Sequence, residues 1–359
     1  MNFQRPFTIL SLIVANVLAS IGTLLGNADS FSLADRKLLK IIRHEEQFFS
    51  QNQNFINDPK ELNRKAQDLV SLYESYLAEN PNDTNALILF GKFLNKVGQK
   101  SHAIGFFLKA DTLNPKLAVV KQQIGNFLVE NDKPLEALPF FTSAIQIDPL
   151  VPDYHFHLGN FLHIYKEKIA ISQILGQKSV ELFSHECFAK AAEKRPTSFE
   201  YRLRFAQSFF DYSESDRNNA ILVWDQIMSD FNSSLKKPEV DYIKLCKARI
   251  MLDLNQNEKA GLLVREVSTK ALVKSKKELL DSINKKPKNP NSDKESKGDK
   301  TGNIGISNYD PHIARLKLIT EKLMEEKLIK QLHADHIRAN QESSGEIRFS
   351  VNRDLKTSD

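Results

Sequence analysis

The chain has 359 residues, of which 41% are hydrophobic and 26% charged, with a formal net charge of +5. That balance is ordinary for folded globular material and excludes a wholly disordered composition. Two cysteines, Cys187 and Cys246, exclude a disulfide framework, and so small a charge leaves no chain-wide basic face for nucleic acid.

The N-terminus opens on Arg5, followed by an uncharged stretch, Pro6–Ala28, that is mostly apolar over Phe7–Leu25. Gly26-Asn27-Ala28 offers a small-x-small cleavage site ahead of Asp29, the pattern of a secretory signal peptide. The stretch is also nearly long enough to span a bilayer, so a retained membrane anchor is the alternative. Residues 1–28 are therefore read as a signal peptide or membrane anchor. The expectation is an exported protein, periplasmic or extracellular, attached to the membrane through residues 6–28 if that segment is retained.

Residues 29–83 read as N-terminal helices with a degenerate first repeat. Leu69, Tyr73, Tyr76 and Pro81 imitate the second helix of a pair, with large residues in place of two small ones, and Leu33–Ser50 is the candidate partner helix. Beyond them the chain becomes periodic. Gly91, Gly125 and Gly159 lie 34 residues apart, as do Pro81, Pro115 and Pro149, and Leu94, Leu128 and Leu162. The same step relates Ala103 to Ala137, Phe107 to Phe141 and Ala110 to Ala144. A fixed period of this length marks stacked helical repeats.

Each repeated residue has a physical role. Leu87, Phe90, Gly91 and Leu94 are three or four apart and share one helix face. Gly91 has no side chain, so a partner helix can come close there, and Gly98 ends the helix. A second helix starting near Lys100 carries Ala103, Phe107 and Ala110. It stops at Asn114-Pro115, because proline cannot continue the hydrogen-bond ladder and disfavours helix in the residue before it. Ala118–Val151 repeats the pattern through Ile124, Gly125, Leu128, Ala137, Phe141, Ala144 and Pro149. At these packing positions the chain resembles the tetratricopeptide repeat (TPR) family. The resemblance implies an all-α fold, a right-handed superhelical solenoid of antiparallel helix pairs, over residues 84–272.

A third unit begins at Leu158, Gly159 and Leu162, but Phe188, Ala191 and Pro196 follow 13 residues late, since Pro149 to Pro196 is 47 residues. The insertion, near 166–178, extends one or both helices or forms a loop. A fourth unit is read at Phe199–Phe231 from Phe205, Ala206, Phe209, Ala220 and Trp224. A fifth follows with Ala248, Met251, Ala260 and Val264.

Lys274–Lys300 holds nine lysines against five acidic residues, together with Pro287, Pro290 and Gly298. Residues 273–308 are expected to be a disordered basic linker. Residues 309–342 read as one long amphipathic helix with Leu316, Ile319, Leu323, Ile329 and Leu332 as its apolar stripe. Docking on the last repeat or on a partner helix is favoured over membrane binding, because the charged face mixes both signs. Residues 343–359 read as a disordered tail.

No catalytic constellation stands out. His155, His157 and His163 share one helix with no ligand set at zinc-site spacing, and no phosphate loop, G-x-S-x-G, H-E-x-x-H or C-x-x-C occurs. The expectation is a non-enzymatic protein without cofactor or metal and without a nucleic-acid partner. The resemblance instead implies a concave face lined by the first helix of each pair, able to hold a protein or peptide. Counting from the matched glycines, it places Asn85, Lys92 and Asn95, then Gln122 and Asn126, then Asp153, Phe156, Asn160 and His163, and finally Gln207 on that face. An asparagine at Asn126 or Asn160 suits a ligand backbone, because its amide both donates and accepts. The family's basic clamp for a C-terminal carboxylate is not reproduced, since Ile88, Gln123, Asp153 and His157 occupy its places. An alternative reading gives the working role to the terminal helix and basic linker, as an envelope-assembly factor with the solenoid as spacer.

Overall fold

The computed structural model describes residues 32–55, 59–284, 312, 316–317, 319, 323 and 325–342. The expected signal or anchor segment, the linker from 285 and the tail from 343 lie outside the described residues. Among the described residues the structure is helical, and no helix is long and apolar enough to cross a membrane.

The helices follow in pairs: α1 (Leu33–Phe55) with α2 (Pro59–Glu79), α3 (Thr84–Lys96) with α4 (Lys100–Leu113), and α5 (Ala118–Glu130) with α6 (Pro134–Ile147). Next come α7 (Pro152–Ile171) with α8 (Gln177–Lys194), α9 (Phe199–Asp211) with α10 (Arg217–Asp230), and α11 (Lys237–Asp253) with α12 (Asn257–Glu266). A short 3-10 turn at Lys270–Leu272 leads into α13 (Val273–Asn284), and α14 (Glu325–Glu342) ends the described chain. The pairs divide into two compact units, one of residues 1–140 with 324–359 and the other of residues 141–323.

In the first unit the period becomes packing. Leu87, Phe90, Leu94, Ala103, Phe107 and Ala110 are fully or almost fully buried between α3 and α4. A β-carbon built on Gly91 would sit 2.7 Å from Phe107 Cε1, so the ring occupies the space that a side chain would need. Asp83 caps α3, its carboxylate accepting from the Asn85 and Ala86 amides. The helix ends with Gly98 at φ +83°, the Gln99 N–H donating to Leu94 O and the Gly98 N–H to Asn95 O. This is a Schellman motif, in which a left-handed residue turns the chain back onto the helix's last carbonyls. Asp132, 34 residues later, repeats it at φ 55°, with Lys133 donating to Leu128 O. The atypical first pair forms as well. α1 packs on α2, and the buried Tyr73 hydroxyl donates to Glu45 at 2.6 Å.

In the second unit the insertion lengthens both helices of the third pair. α7 runs on to Ile171 through a kink at Tyr165, and α8 starts at Gln177. Ile169 and Val180 are fully buried, so the added turns extend the core, while Ile164 and Ile171 are exposed. The fourth and fifth pairs close over Ala206, Phe209, Ala220, Trp224 and Ile227, then over Ala248, Ala260 and Val264.

Two expectations are corrected. Residues 273–284, expected to be linker, are the helix α13, and Leu279, Leu280 and Ile283 pack against the Leu245, Ala248, Ala260, Val264 and Val267 core. The lysine count masked this apolar stripe. The terminal helix is not continuous, because Leu323 lies in a turn and α14 starts at Glu325. α14 packs on α4 rather than on the last repeat.

Candidate functional site

The first helices of neighbouring pairs are joined by side-chain bonds. In the first unit the Asn95 amide donates to Gln123 Oε1 at 3.3 Å, linking α3 to α5, and Gln122 donates to Asn126 Oδ1 one turn along α5. In the second unit Tyr201 of α9 donates to Asp153 of α7 at 2.6 Å, His163 lies 3.4 Å from Asp211, and Gln207 donates to Tyr242 of α11 at 3.0 Å. These bonds engage Asn95, Gln122, Asn126, Asp153, His163 and Gln207.

They are not equally available to a ligand. Asn85 is exposed at the start of α3, while Lys92, Asn95, Asn126, Asn160, His163 and Gln207 are half-buried. Three candidates are corrected. Asp153 is buried and fully engaged, taking the Tyr201 hydroxyl on one oxygen and Arg195 on the other at 3.0 Å. Phe156 packs tilted against Tyr201 and edge-to-face against Phe188, with ring centroids 4.7 and 5.9 Å apart, and so belongs to the packing between helices. Gln122 is buried and turned onto Asn126. Helical counting puts a residue on a face, but whether a neighbouring pair covers it depends on side chains far along the chain.

Lys92 makes no hydrogen bond or ion pair among the described residues. Its neighbour Lys96 lies 3.7 Å from Glu45 and 4.5 Å above the Phe49 ring. Burial, with the like charge of Lys96, pushes the Lys92 amine down to about 7, against the pull of Glu45. Two ammonium groups therefore face one carboxylate, and Glu45 is itself raised by burial despite the Tyr73 hydroxyl. Lys92 at half charge can serve as a hydrogen-bond donor or acceptor as pH changes.

The second unit gathers histidines. His185 Nδ1 lies 2.7 Å from Ser208 Oγ, whose own proton goes to Phe205 O at 2.6 Å, so His185 donates from Nδ1. Burial pushes its ring down to about 4, and His155, bonded to Pro149 O, also to about 4. Burial lowers His163 too, opposed by Asp211. These rings are neutral structural groups near pH 7. No cluster of three or more metal-ligating side chains suited to a metal ion occurs among the described residues.

Among the described residues the chain is all-α, and its helix pairs, with this 34-residue period, a glycine–aromatic crossing and a left-handed turn between helices, resemble tetratricopeptide repeats. No protein-family model and no curated protein matches the chain. Among solved structures it is similar to YrrB, described as a TPR protein with an unusual peptide-binding site, at 17% identity and a TM-score of 0.43, covering 58% of this chain and 92% of that one. It is also similar to MamA (41-end) from Desulfovibrio magneticus RS-1, at 16% identity and a TM-score of 0.37 over 54% of this chain and 98% of that one. A tetratricopeptide repeat protein from Parabacteroides merdae is 14% identical, with a TM-score of 0.28 over 67% and 99% of the two chains.

Proposed function

We propose that this chain is an exported, non-enzymatic scaffold that binds a protein or peptide partner along the first-helix faces of its repeats. The observation that carries the reading is the half-buried Lys92 amine, with no hydrogen bond or ion pair among the described residues, one turn before Asn95, whose amide reaches Gln123 of α5. Amides and an amine together suit a polypeptide backbone, which presents alternating donors and acceptors. Asn160 repeats the position of Asn126 one period later, on the face of the second unit. Export rests on the uncharged, mostly apolar stretch Pro6–Ala28 and the small residues Gly26 and Ala28 at its end.

The test is a crosslinking pull-down from envelope fractions with the full chain as bait and a Lys92→Ala, Asn126→Ala, Asn160→Ala triple variant as control. A client recovered by the wild type and lost with the folded variant supports the reading. The same clients recovered by both overturn it. The alternative, in which the terminal helix recruits the partner, is disfavoured because α14 already places Leu332 in a buried position within the first unit.

A further inference from the structure

Aligning the repeats on their crossing residues, Gly91, Gly125, Gly159, Ala206 and Ala248, puts Lys92, Asn126, Asn160, Gln207 and Arg249 at one register position, directly after each. Amides fill that position in the middle repeats, and cations fill it at Lys92 and Arg249. In the second unit the side chains around it are held in place. Gln207 of α9 donates to the Tyr242 hydroxyl of α11 at 3.0 Å. The Arg249 guanidinium of α11 lies over the Phe210 ring of α9, 4.8 Å from its centroid. Phe210 in turn packs against the core that includes Ala206, Phe209 and Trp224, so the ring is a fixed platform. The carboxylates near Arg249 are taken. Asp253, one turn along α11, lies 3.2 Å from Arg217, and Asp211, next to Phe210, lies 2.9 Å from Arg204. Asp225 of α10 pairs with Lys247. Arg249 is exposed and makes no ion pair among the described residues.

We propose that Arg249, stacked on Phe210, anchors an acidic side chain, Asp or Glu, of the polypeptide partner. The inference rests on the reading of a first-helix binding face and adds the chemistry of what that face receives. A guanidinium seated on a ring keeps its N–H donors in its own plane, in the fork that matches a carboxylate. The stack also restricts a long side chain before binding, so less freedom is lost when the carboxylate arrives. Beside it the Gln207 amide, which both donates and accepts, suits the backbone flanking that acidic residue. In the first unit Lys92 holds the same register position with the same sign of charge and likewise without an ion pair among the described residues. Each unit thus offers an uncompensated cation to an anionic segment.

A phage-displayed library of random dodecapeptides, panned on the full chain, tests this. The recovered peptides are expected to be enriched in Asp and Glu, and an acidic one is then measured by fluorescence anisotropy. Arg249→Gln is expected to weaken its binding about tenfold, as is Glu→Gln in the peptide against the wild type, while both changes together cost no more than either alone. Arg249→Lys keeps the charge but loses the fork, and its affinity is expected to fall between the two. Should Arg249→Gln unfold, the same cycle run with Arg249→Lys decides. Recovered peptides without acidic enrichment, or acidic peptides for which the two changes simply add, overturn the anchor and leave the binding face standing. A library that yields no binder overturns the binding face and the anchor with it.

Discussion

Gly91 and Phe107 meet across the α3–α4 crossing, and Gly159 and Phe188 meet in the same way across α7–α8, the built β-carbons lying 2.7 and 2.8 Å from the ring Cε1 atoms. The first two residues are 16 apart in sequence and the second two 29, and the 13-residue difference is the insertion. The crossing is thus preserved while both helices grow beyond it. The extra turns then obtain their own burial through Ile169 and Val180.

Three glycines separate the roles that glycine can play. Gly91→Ala drives a methyl group into a packed ring and is expected to cost about 1–3 kcal/mol, part of it recovered by Phe107→Leu. Gly98→Ala meets no neighbour but must hold φ +83°, so the expected cost is about 1 kcal/mol from backbone strain alone. Gly261, within α12, has open space at its β-carbon and no special φ, and Gly261→Ala is expected to stabilise by about 0.5–1 kcal/mol. Urea unfolding of the three variants checks all three signs.

Asp153 and Tyr201 join α7 to α9 through a buried bond at 2.6 Å. Tyr201→Phe is expected to cost about 1–3 kcal/mol, because the Asp153 carboxylate loses a donor inside the protein. In a double-mutant cycle with Asp153→Asn the coupling should be at least about 0.5 kcal/mol. Additive effects would return Asp153 to the list of residues free to meet a ligand.

Lys92 should show opposed effects on stability and binding. Its amine is pushed down to about 7 in the fold, below the ordinary value near 10.5, so the folded state binds fewer protons and gains stability as pH rises through that window. Lys92→Met is therefore expected to stabilise by about 1 kcal/mol at pH 6 and by less at pH 9, while weakening client capture. Thermal unfolding at the two pH values and the pull-down give the two readouts.

Asp241 fastens the chain beyond α12 back onto α11. One carboxylate oxygen accepts from the Ser268 and Thr269 amides at 3.0 and 2.9 Å and from the Thr269 hydroxyl at 2.7 Å, and Lys237 lies 3.1 Å from the other. These bonds outweigh burial and hold the carboxyl well below the usual carboxylate range. A depressed acid stabilises the fold above its unfolded value and loses that contribution as pH falls below about 4. Asp241→Asn is expected to cost about 2 kcal/mol at pH 7 and to expose α13 to protease, with the difference from wild type narrowing at pH 3.

The repeat was legible because it is local. Gly91, Phe107, Ala103 and Ala110 recur at a spacing set by helix geometry, and each meets a partner fewer than 20 residues away. The Schellman turn was legible at Gly98 but hidden at Asp132 and Asn255, where a polar residue takes the left-handed conformation at φ 55° and 59°. Counting along helices placed Lys92, Asn95 and Asn126 on one expected face. Composition determined the rest of what the sequence could say: no disulfide framework and an uncharged apolar N-terminal stretch. The tertiary structure alone decided which face residues remain open, since Asp153 is taken by Tyr201 48 positions away. It also decided where α14 lies, because its seat joins Glu325 to Lys121 and His336 to Gly105. Periodicity records which side of a helix is apolar, but not which distant surface that side will meet.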